Sequence, residues 1–483
     1  MRASERRLAY QGDVMAIAKI EALQKFDLGT KMVPWEERRA EGKALRRAAP
    51  RESHAEWDPK PNRPDPLQLL ARSNKGRQAH LVPLRMGRMA TSPFAFLRGS
   101  ACVMAADLST SPISGIPVVM DGDAHLNNFG MYGTPQHEVV FDLNDFDEAT
   151  IGPWEWDLKR LVASVNVAGR QNGLNRRERA AAVRRGVAGY RFNVKRLAEM
   201  GVLDTWYLHA FPGRDNPIAK PDPKSRAVIN KVLAKAQRTD NHTLLPKVAD
   251  HKGSGAWRFR DDPPVLIRVS PAVRQKIIEA LNQYSRTLPM ERRLMLGRYH
   301  VVDVAHRVVG VGSVGTRAYL VLLFGNGDPD PLFLQVKESV QAAHAPYLPP
   351  LPTDFHHNGK RVLMGQRALQ ASSDPMLGYT SIGGRDYYVR QMKNLKASIP
   401  VEWLTGASFN FYAWACGAVL ARAHSRTGDP ARIAGYCGNA SVLDEALADW
   451  AESYGDQTER DHETLSEAIQ RGEVHAETEG PEE

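Results

Sequence analysis

Apolar positions change period several times along the chain, and each change predicts an element. Leu158, Leu161, Val162 and Val165 recur at helical spacing and predict a buried helix. Arg176 to Met200 carries Val183, Val187, Tyr190, Val194 and Leu197 and predicts a second. Tyr412, Cys416, Val419, Leu420 and Ala423 make a third over Phe409 to His424, with Gly428 as its stop. Strand patterns lie elsewhere: Val301 to Val309, Arg317 to Phe324, Leu332 to Lys337 and Asp386 to Met392. In the third of these, Leu332, Leu334 and Val336 share one face, and Phe333, Gln335 and Lys337 the other.

The remaining stretches are less regular. Residues 1–45 read as helical but weakly anchored, a solvated or disordered lead-in. Pro50, Pro59, Pro61, Pro64 and Pro66 predict an extended linker. Leu67 to Ala90 is helical and Ser92-Pro93 stops it; Phe94 and Phe96 then plug a core. Prolines and glycines break up 201–265, and a helix from about Pro271 to Gly297 leads out. Residues 440–471 give one or two amphipathic helices before an acidic, disordered tail. The expected partition is a basic lead-in (1–45), a helical region and linker (46–120), a polar segment with its buried helices (121–200), an insertion or inter-lobe region (201–297), a β-rich unit (298–400), returning helices (401–472) and the tail (473–483).

Composition narrows the class. The length allows two lobes with sizeable cores. Cys102, Cys416 and Cys437 form a sparse, odd set, which argues for a reducing compartment and against a disulfide framework or zinc site. No run is long and apolar enough for a bilayer, and no apolar signal region follows the charged N-terminus, so a cytoplasmic protein is expected. The net charge of +9 favours anionic partners such as a nucleotide. No dense basic block interleaves with aromatics, which disfavours nucleic acid.

The chemistry concentrates in Asp121 to Asp157. The stretch reads Asp121-Gly122-Asp123-Ala124-His125-Leu126-Asn127-Asn128, then Asp142-Leu143-Asn144-Asp145-Phe146-Asp147, then Gly152-Pro153 and Trp156-Asp157-Leu158. Apolar runs at Ile116 to Met120 and Glu138 to Phe141, with a turn at Gly133 to Pro135, predict a hairpin-like unit. It would present carboxylates and carboxamides together, able to hold a divalent metal and orient a hydroxyl. A polar turn between acidic strand ends is the plainer reading of the same residues. Arg85, Arg88 and Arg98 either reach a phosphate or the acidic cluster, or pair with surface carboxylates.

This segment resembles the catalytic segment of aminoglycoside and choline kinase-like phosphotransferases, which have the protein-kinase fold. Gly122, Asp123, His125 and Asn128 match its Gly-Asp-x-His-x-x-Asn run, and Asp145-Phe146 matches its metal motif. Asp121 departs from the histidine usual before Gly-Asp. The whole chain also looks like the bacterial domain-of-unknown-function family 2252. The resemblance implies that Asp123 orients and deprotonates a hydroxyl, that Asn128 and Asp145 hold magnesium, and that His125 braces the loop.

Gly310-Val311-Gly312-Ser313-Val314-Gly315 lies between two predicted strands, so it does not open a helix as a dinucleotide-binding loop would. With Lys337 on the third strand it looks like the kinase nucleotide clamp, in which Gly310, Gly312, Ser313, Gly315 and Lys337 hold ATP. Arg317 stands where kinases favour valine, and no helical glutamate partner for Lys337 is evident. Glu338 points elsewhere, and Gln366, on a helix predicted over Lys360 to Ala371, is a stand-in. The clamp follows the catalytic segment instead of preceding it. The expected fold is therefore α/β (α+β), two-lobed and protein-kinase-like but circularly permuted. A small antiparallel β nucleotide lobe would face a larger helical lobe, with the cut after His424.

The expected activity is transfer of a γ-phosphoryl group from ATP, or alternatively a nucleotidyl group, to a hydroxyl acceptor with Mg. A pseudokinase-type nucleotide-binding module and a metal-dependent hydrolase using Asp121, Asp123, His125 and Asp145 stay open. Asp142 and Asp147 are unranked carboxylates. Asp157 caps its helix or ties down the loop, capping being simpler, and His424 interacts with its helix dipole.

Overall fold

The computed structural model describes residues 29, 31–212, 221–252, 256–308, 310–327, 330–392 and 395–477. In chain order it forms α1 (Trp35–Ala44), α2 (Pro66–Ser73), α3 (Val82–Ala90), α4 (Pro93–Gly99) and α5 (Ala101–Leu108), then β1 (Pro117–Met120), β2 (Phe129–Gly133), β3 (Val139–Leu143) and β4 (Thr150–Pro153). Next come α6 (Trp154–Gln171), α7 (Arg176–Ala198), α8 (Val202–Tyr207), α9 (Pro223–Gln237), α10 (Asn241–Val248), β5 (Ala249–Lys252), β6 (Ala256–Phe259), β7 (Leu266–Arg268), α11 (Pro271–Ser285) and α12 (Met290–Leu296). The chain finishes with β8 (His300–Arg307), β9 (Ala318–Phe324), β10 (Pro331–Glu338), α13 (Asn358–Leu369), β11 (Gly378–Ile382), β12 (Arg385–Gln391), β13 (Ala397–Ser398), α14 (Gly406–Ser425), α15 (Pro430–Cys437) and α16 (Val442–Gln470). The fold is mixed α and β, and its sheets are antiparallel.

The largest sheet runs β11-β12-β10-β9-β8-β7. Its central strand β10 is buried at every position. The alternation expected of it sorts into two cores. Leu332, Leu334 and Val336 pack with Ile277, Leu281 and Tyr284 of α11, while Phe333 packs with Leu244 and Leu245 of α10 and Phe259 of β6. Residues 241–296 therefore cover both faces of the sheet and add its edge strand β7. A single helix over Pro271 to Gly297 is not formed. Pro289 N-caps α12, so the stretch divides into α11 and α12.

The helical core is built on α6, α7 and α14. Gly417 of α14 meets Gly186 of α7 backbone to backbone; a Cβ at Gly417 would lie 2.0 Å from the Gly186 oxygen. This approach is open only to glycine. Beyond its C-terminal end, the Thr427 hydroxyl accepts a hydrogen bond from the Val119 amide (3.1 Å), so the end of α14 lies beside the strand that enters Asp121.

Several expectations change. The hairpin does not join Ile116–Met120 to Glu138–Phe141. Instead β1 pairs with β4 and β2 pairs with β3, because the loop Asp121–Asn128 returns the chain to a new strand before the Gly133 turn. The end of the lead-in is anchored: α1 lies on α15 through Arg38–Asp429 (2.7 Å), and Arg46 donates to the Tyr436 carbonyl (2.9 Å). Residues 1–28 lie outside the described residues. The first part of the tail is docked, with the Glu477 amide donating to the Pro83 carbonyl (3.0 Å). Residues 440–471 give one helix, α16.

Candidate functional site

The loop after β1 turns sharply at Gly122, whose φ is +79° and whose Cβ, if present, would sit 2.2 Å from the Glu148 oxygen. Glycine alone fits both conditions. The next residues knot on themselves. The His125 amide donates to the Asp123 carbonyl (2.7 Å), and so does the Asn128 side-chain amide (2.8 Å). Ser164 of α6 accepts from the Leu126 amide (3.0 Å), and the Tyr412 hydroxyl of α14 donates to the Leu126 carbonyl (2.8 Å). Two helices thus fix a loop whose one regular element is the single helical turn Leu126–Asn128.

Asp157 does not cap α6, whose N-cap is Pro153; of the two expected roles it takes the other and ties down the loop. Its carboxylate accepts from the amides of Asp121 (2.6 Å) and Gly122 (2.9 Å). His424 does not end α14 in solvent either. Its ring is fully buried, with Nε2 3.1 Å from Asp157 and Nδ1 2.9 Å from the Tyr190 hydroxyl. The chain Tyr190–His424–Asp157 therefore holds the entry to the loop. The helix-dipole reading of His424 misses this, because its ring faces inward onto residues distant in sequence.

Asp123 is held by Arg160, one helical turn beyond Asp157, which donates to Oδ1 through Nε (2.8 Å) and Nη2 (2.6 Å). Burial pushes the Asp123 carboxyl up to about 7, against the pull of Arg160. His125 Nε2 lies 3.6 Å from Asp123 Oδ2. Burial, then Arg98 and Arg160, hold that ring neutral, well below its ordinary pKa. The Asp121 carboxyl has no hydrogen-bond partner and is pushed up strongly by burial and by Asp157, Asp123 and Asp145. It lies fully buried under the loop. Arg160 went unseen in the sequence, although an arginine inside the buried helix pattern of α6, three residues after Asp157, is a signal that could have found it.

Across the cleft, Lys337 of β10 forms an ion pair with Asp147. No carboxylate on α13 meets it, and Gln366 is not its stand-in, since it donates to Gln370 (2.9 Å). Burial pushes Asp145 up, but Lys337, Arg390 and Lys396 outweigh it and leave the carboxyl below its usual range. Burial and Asp145 push Asp147 up, with Lys337 opposing. Arg361 of α13 donates to the carbonyls of Asp147 (2.8 Å) and Val340 (2.7 Å), clamping the motif to the sheet. The two unranked carboxylates separate: Asp147 lines the cleft, whereas Asp142 is buried against Arg422 and accepts from the Ala371 amide (3.0 Å).

Asp123, His125, Asn128, Asp145, Asp147 and Glu148 line one cleft of about 540 Å³ together with Gly310, Gly312 and Ser313. Lys337 sits beneath it through Asp147. Gly315 does not line the cleft; it has φ +87° and packs on the Arg77 side chain. The glycine segment is braced from α2 to α3: Arg77 donates to the Val314 carbonyl (2.6 Å), the Gln78 amide to the Gly315 carbonyl (2.8 Å), and Arg88 to the Gly310 carbonyl. Among the described residues no group of three or more His, Cys, Asp and Glu side chains is arranged to hold a metal ion. Asn128 and Asp145 would supply two ligands at most, which suits magnesium bound largely by phosphates and water. No described helix is long and apolar enough to cross a membrane.

The chain belongs to a family described as uncharacterized protein conserved in bacteria (DUF2252), whose profile matches residues 77–468. No curated protein and no solved structure matches it.

Proposed function

We propose that this member of the family is a phosphotransferase with a circularly permuted, kinase-like fold, moving the γ-phosphoryl group of ATP to a hydroxyl acceptor. The observation that carries the reading is the cleft itself, in which Asp123, Asn128 and Asp145 share walls with the glycine segment about 190 residues later in the chain. The rotated order of parts supports it: β8, the glycine turn, β9, β10 with Lys337, α13, β11 and β12 follow the catalytic segment. The end of α14 beside β1 is what a permutation requires, since the joined ends of such a chain must be close.

In this reading Asp123 orients the acceptor hydroxyl and accepts its proton through Oδ2, the oxygen that Arg160 leaves free. The acceptor oxygen forms a bond to the γ-phosphorus as the bond to the leaving nucleoside diphosphate breaks. The amides of Gly310 to Ser313 hold phosphate oxygens, and Lys337 joins them by exchanging its ion pair with Asp147 for a phosphate. Magnesium, when bound at Asn128 and Asp145, neutralises phosphate charge. His125 stays neutral and packs the loop. Transfer of this kind depends mainly on positioning and charge neutralisation.

One observation favours a nucleotide-binding module without turnover: the partner of Lys337 comes from the metal motif and not from α13. A hydrolase would need Asp121 as a ligand, yet that carboxyl is fully buried. Calorimetry with ATP, with and without magnesium, followed by turnover on a panel of hydroxylated acceptors, tests the proposal. Magnesium-dependent binding with turnover is expected. Absence of nucleotide binding refutes the reading, and binding without turnover on any acceptor or on water selects the binding module.

A further inference from the structure

We propose that Arg98 anchors an anionic group on the acceptor, so that the acceptor is a small alcohol bearing a carboxylate or a phosphate. This rests on the phosphotransferase reading for the role of Asp123, but the anion site itself does not.

Three arginines beside the cleft are already engaged by neutral partners. Arg85 donates to the Asn74 side chain (2.8 Å) and the Gly99 carbonyl (2.7 Å). Arg77 and Arg88 are bound to carbonyls of the glycine segment. Arg98, at the end of α4, is not used in this way, and its Nε is buried without a partner. Burial lowers its pKa, and the nearby Asp123 and Glu402 oppose that. Arg98 is only partly buried and lines the open cleft, so its permanently charged guanidinium is available there to a ligand's anion.

Its position says which ligand. Arg98 lies on the wall shared by the main cleft and a second cavity of about 240 Å³, whose other polar lining is Thr91, Ser92, Asn127, Gln171, Asn172 and Glu402. None of the glycine segment reaches that second cavity, which separates it from the proposed nucleotide wall. The backbone beside Arg98 is tied to the base, because Arg160 Nη2 donates to the Leu97 carbonyl (2.6 Å) while it holds Asp123. A ligand whose anion meets Arg98 can therefore extend a hydroxyl to Asp123. Asn127 also lines the second cavity. A neutral or cationic alcohol makes no charge-assisted bond with Arg98, so an anionic one is preferred.

The test compares binding of glycerol 3-phosphate, glycerate and glycerol to the full chain by calorimetry, with and without ATP and magnesium. The two anions should bind and glycerol should not. Arg98→Gln should weaken the anions by about tenfold to a hundredfold, the loss typical of a charge-assisted pair, while ATP affinity is kept. Arg98→Lys should recover part of the loss, and thermal melting of each variant checks folding. Equal binding of glycerol and the anions, no anion binding, or anion affinity unchanged in Arg98→Gln each overturns the inference. Failure of the ATP arm alone, with anion binding intact, counts against the phosphotransferase reading and not against the anion site.

Discussion

Arg160 should set the pH at which Asp123 becomes a working base. Its guanidinium contacts Asp123 Oδ1 at 2.6 Å, and the Asp123 side chain retains 18% exposure, so solvent screens the pair only in part. Two unit charges about 4 Å apart at an effective dielectric of about 20 interact by about 4 kcal/mol. One pKa unit is about 1.4 kcal/mol, so loss of the charge should raise Asp123 by about 2–3 units after screening. The parent carboxyl sits at about 7. In Arg160→Met it would titrate near 9 or above, and the ionised fraction at pH 7 would fall from about half to about one in a hundred or fewer. The assay is kcat/KM for phosphoryl transfer against pH. The parent should show an acid limb near pH 7, and Arg160→Met the same limb displaced upward, with most of the lost rate recovered at high pH. Arg160→Lys, which keeps the charge, should leave the limb close to the parent position. A limb that does not move in Arg160→Met, or a loss equal at every pH, refutes the role given to Arg160. The same titration has a stability counterpart. The folded Asp123 keeps its proton above the ordinary carboxylate range, so the folded state binds more protons between about pH 4 and pH 7. Stability should therefore fall as pH rises through that window and level off above it, by about 4 kcal/mol from this group, with Asp121 acting in the same direction.

Other perturbations separate the remaining roles. Asp145→Ala should abolish the magnesium dependence of ATP binding in calorimetry, whereas Asp123→Asn should keep ATP affinity and lose about a hundred- to ten-thousand-fold in turnover; the opposite pattern exchanges the two assignments. Asp157→Ala leaves the buried amides of Asp121 and Gly122 without their acceptor, at about 1–3 kcal/mol each. A lowered melting temperature and faster hydrogen exchange at those two amides should follow, and unchanged exchange would show that the brace is not what orders the loop. Lys337→Met and Asp147→Asn should couple in a double-mutant cycle of ATP affinity by about 0.5–3 kcal/mol; additive losses would mean that the pair does not act as a unit.

What the sequence determined was local. Periodicity located the helices around Leu161, Val187 and Val419 and the strands around Val304, Val321, Val336 and Val389, because a one-sided apolar pattern forces a period of either 3.6 or 2 on the backbone. The polar segment from Asp121 to Asp147 was also legible, since glycine, carboxylates and carboxamides at fixed short spacings have few structural uses. What tertiary structure alone decided was which distant groups meet. The partner of Lys337 is Asp147 and not a residue of α13, Asp142 belongs to Arg422, and His424 lies against Asp157. Arg160 reaches Asp123 from a helix that the sequence showed only as buried. None of these pairings leaves a periodic trace. An ion pair requires two side chains within about 4 Å and nothing of their separation along the chain, so partners among many arginines and aspartates are chosen by packing. The buried helix α6 does the choosing here: by carrying Asp157, Arg160 and Ser164 on the face turned to one loop, it holds that loop's amides and its aspartate from a single rigid element.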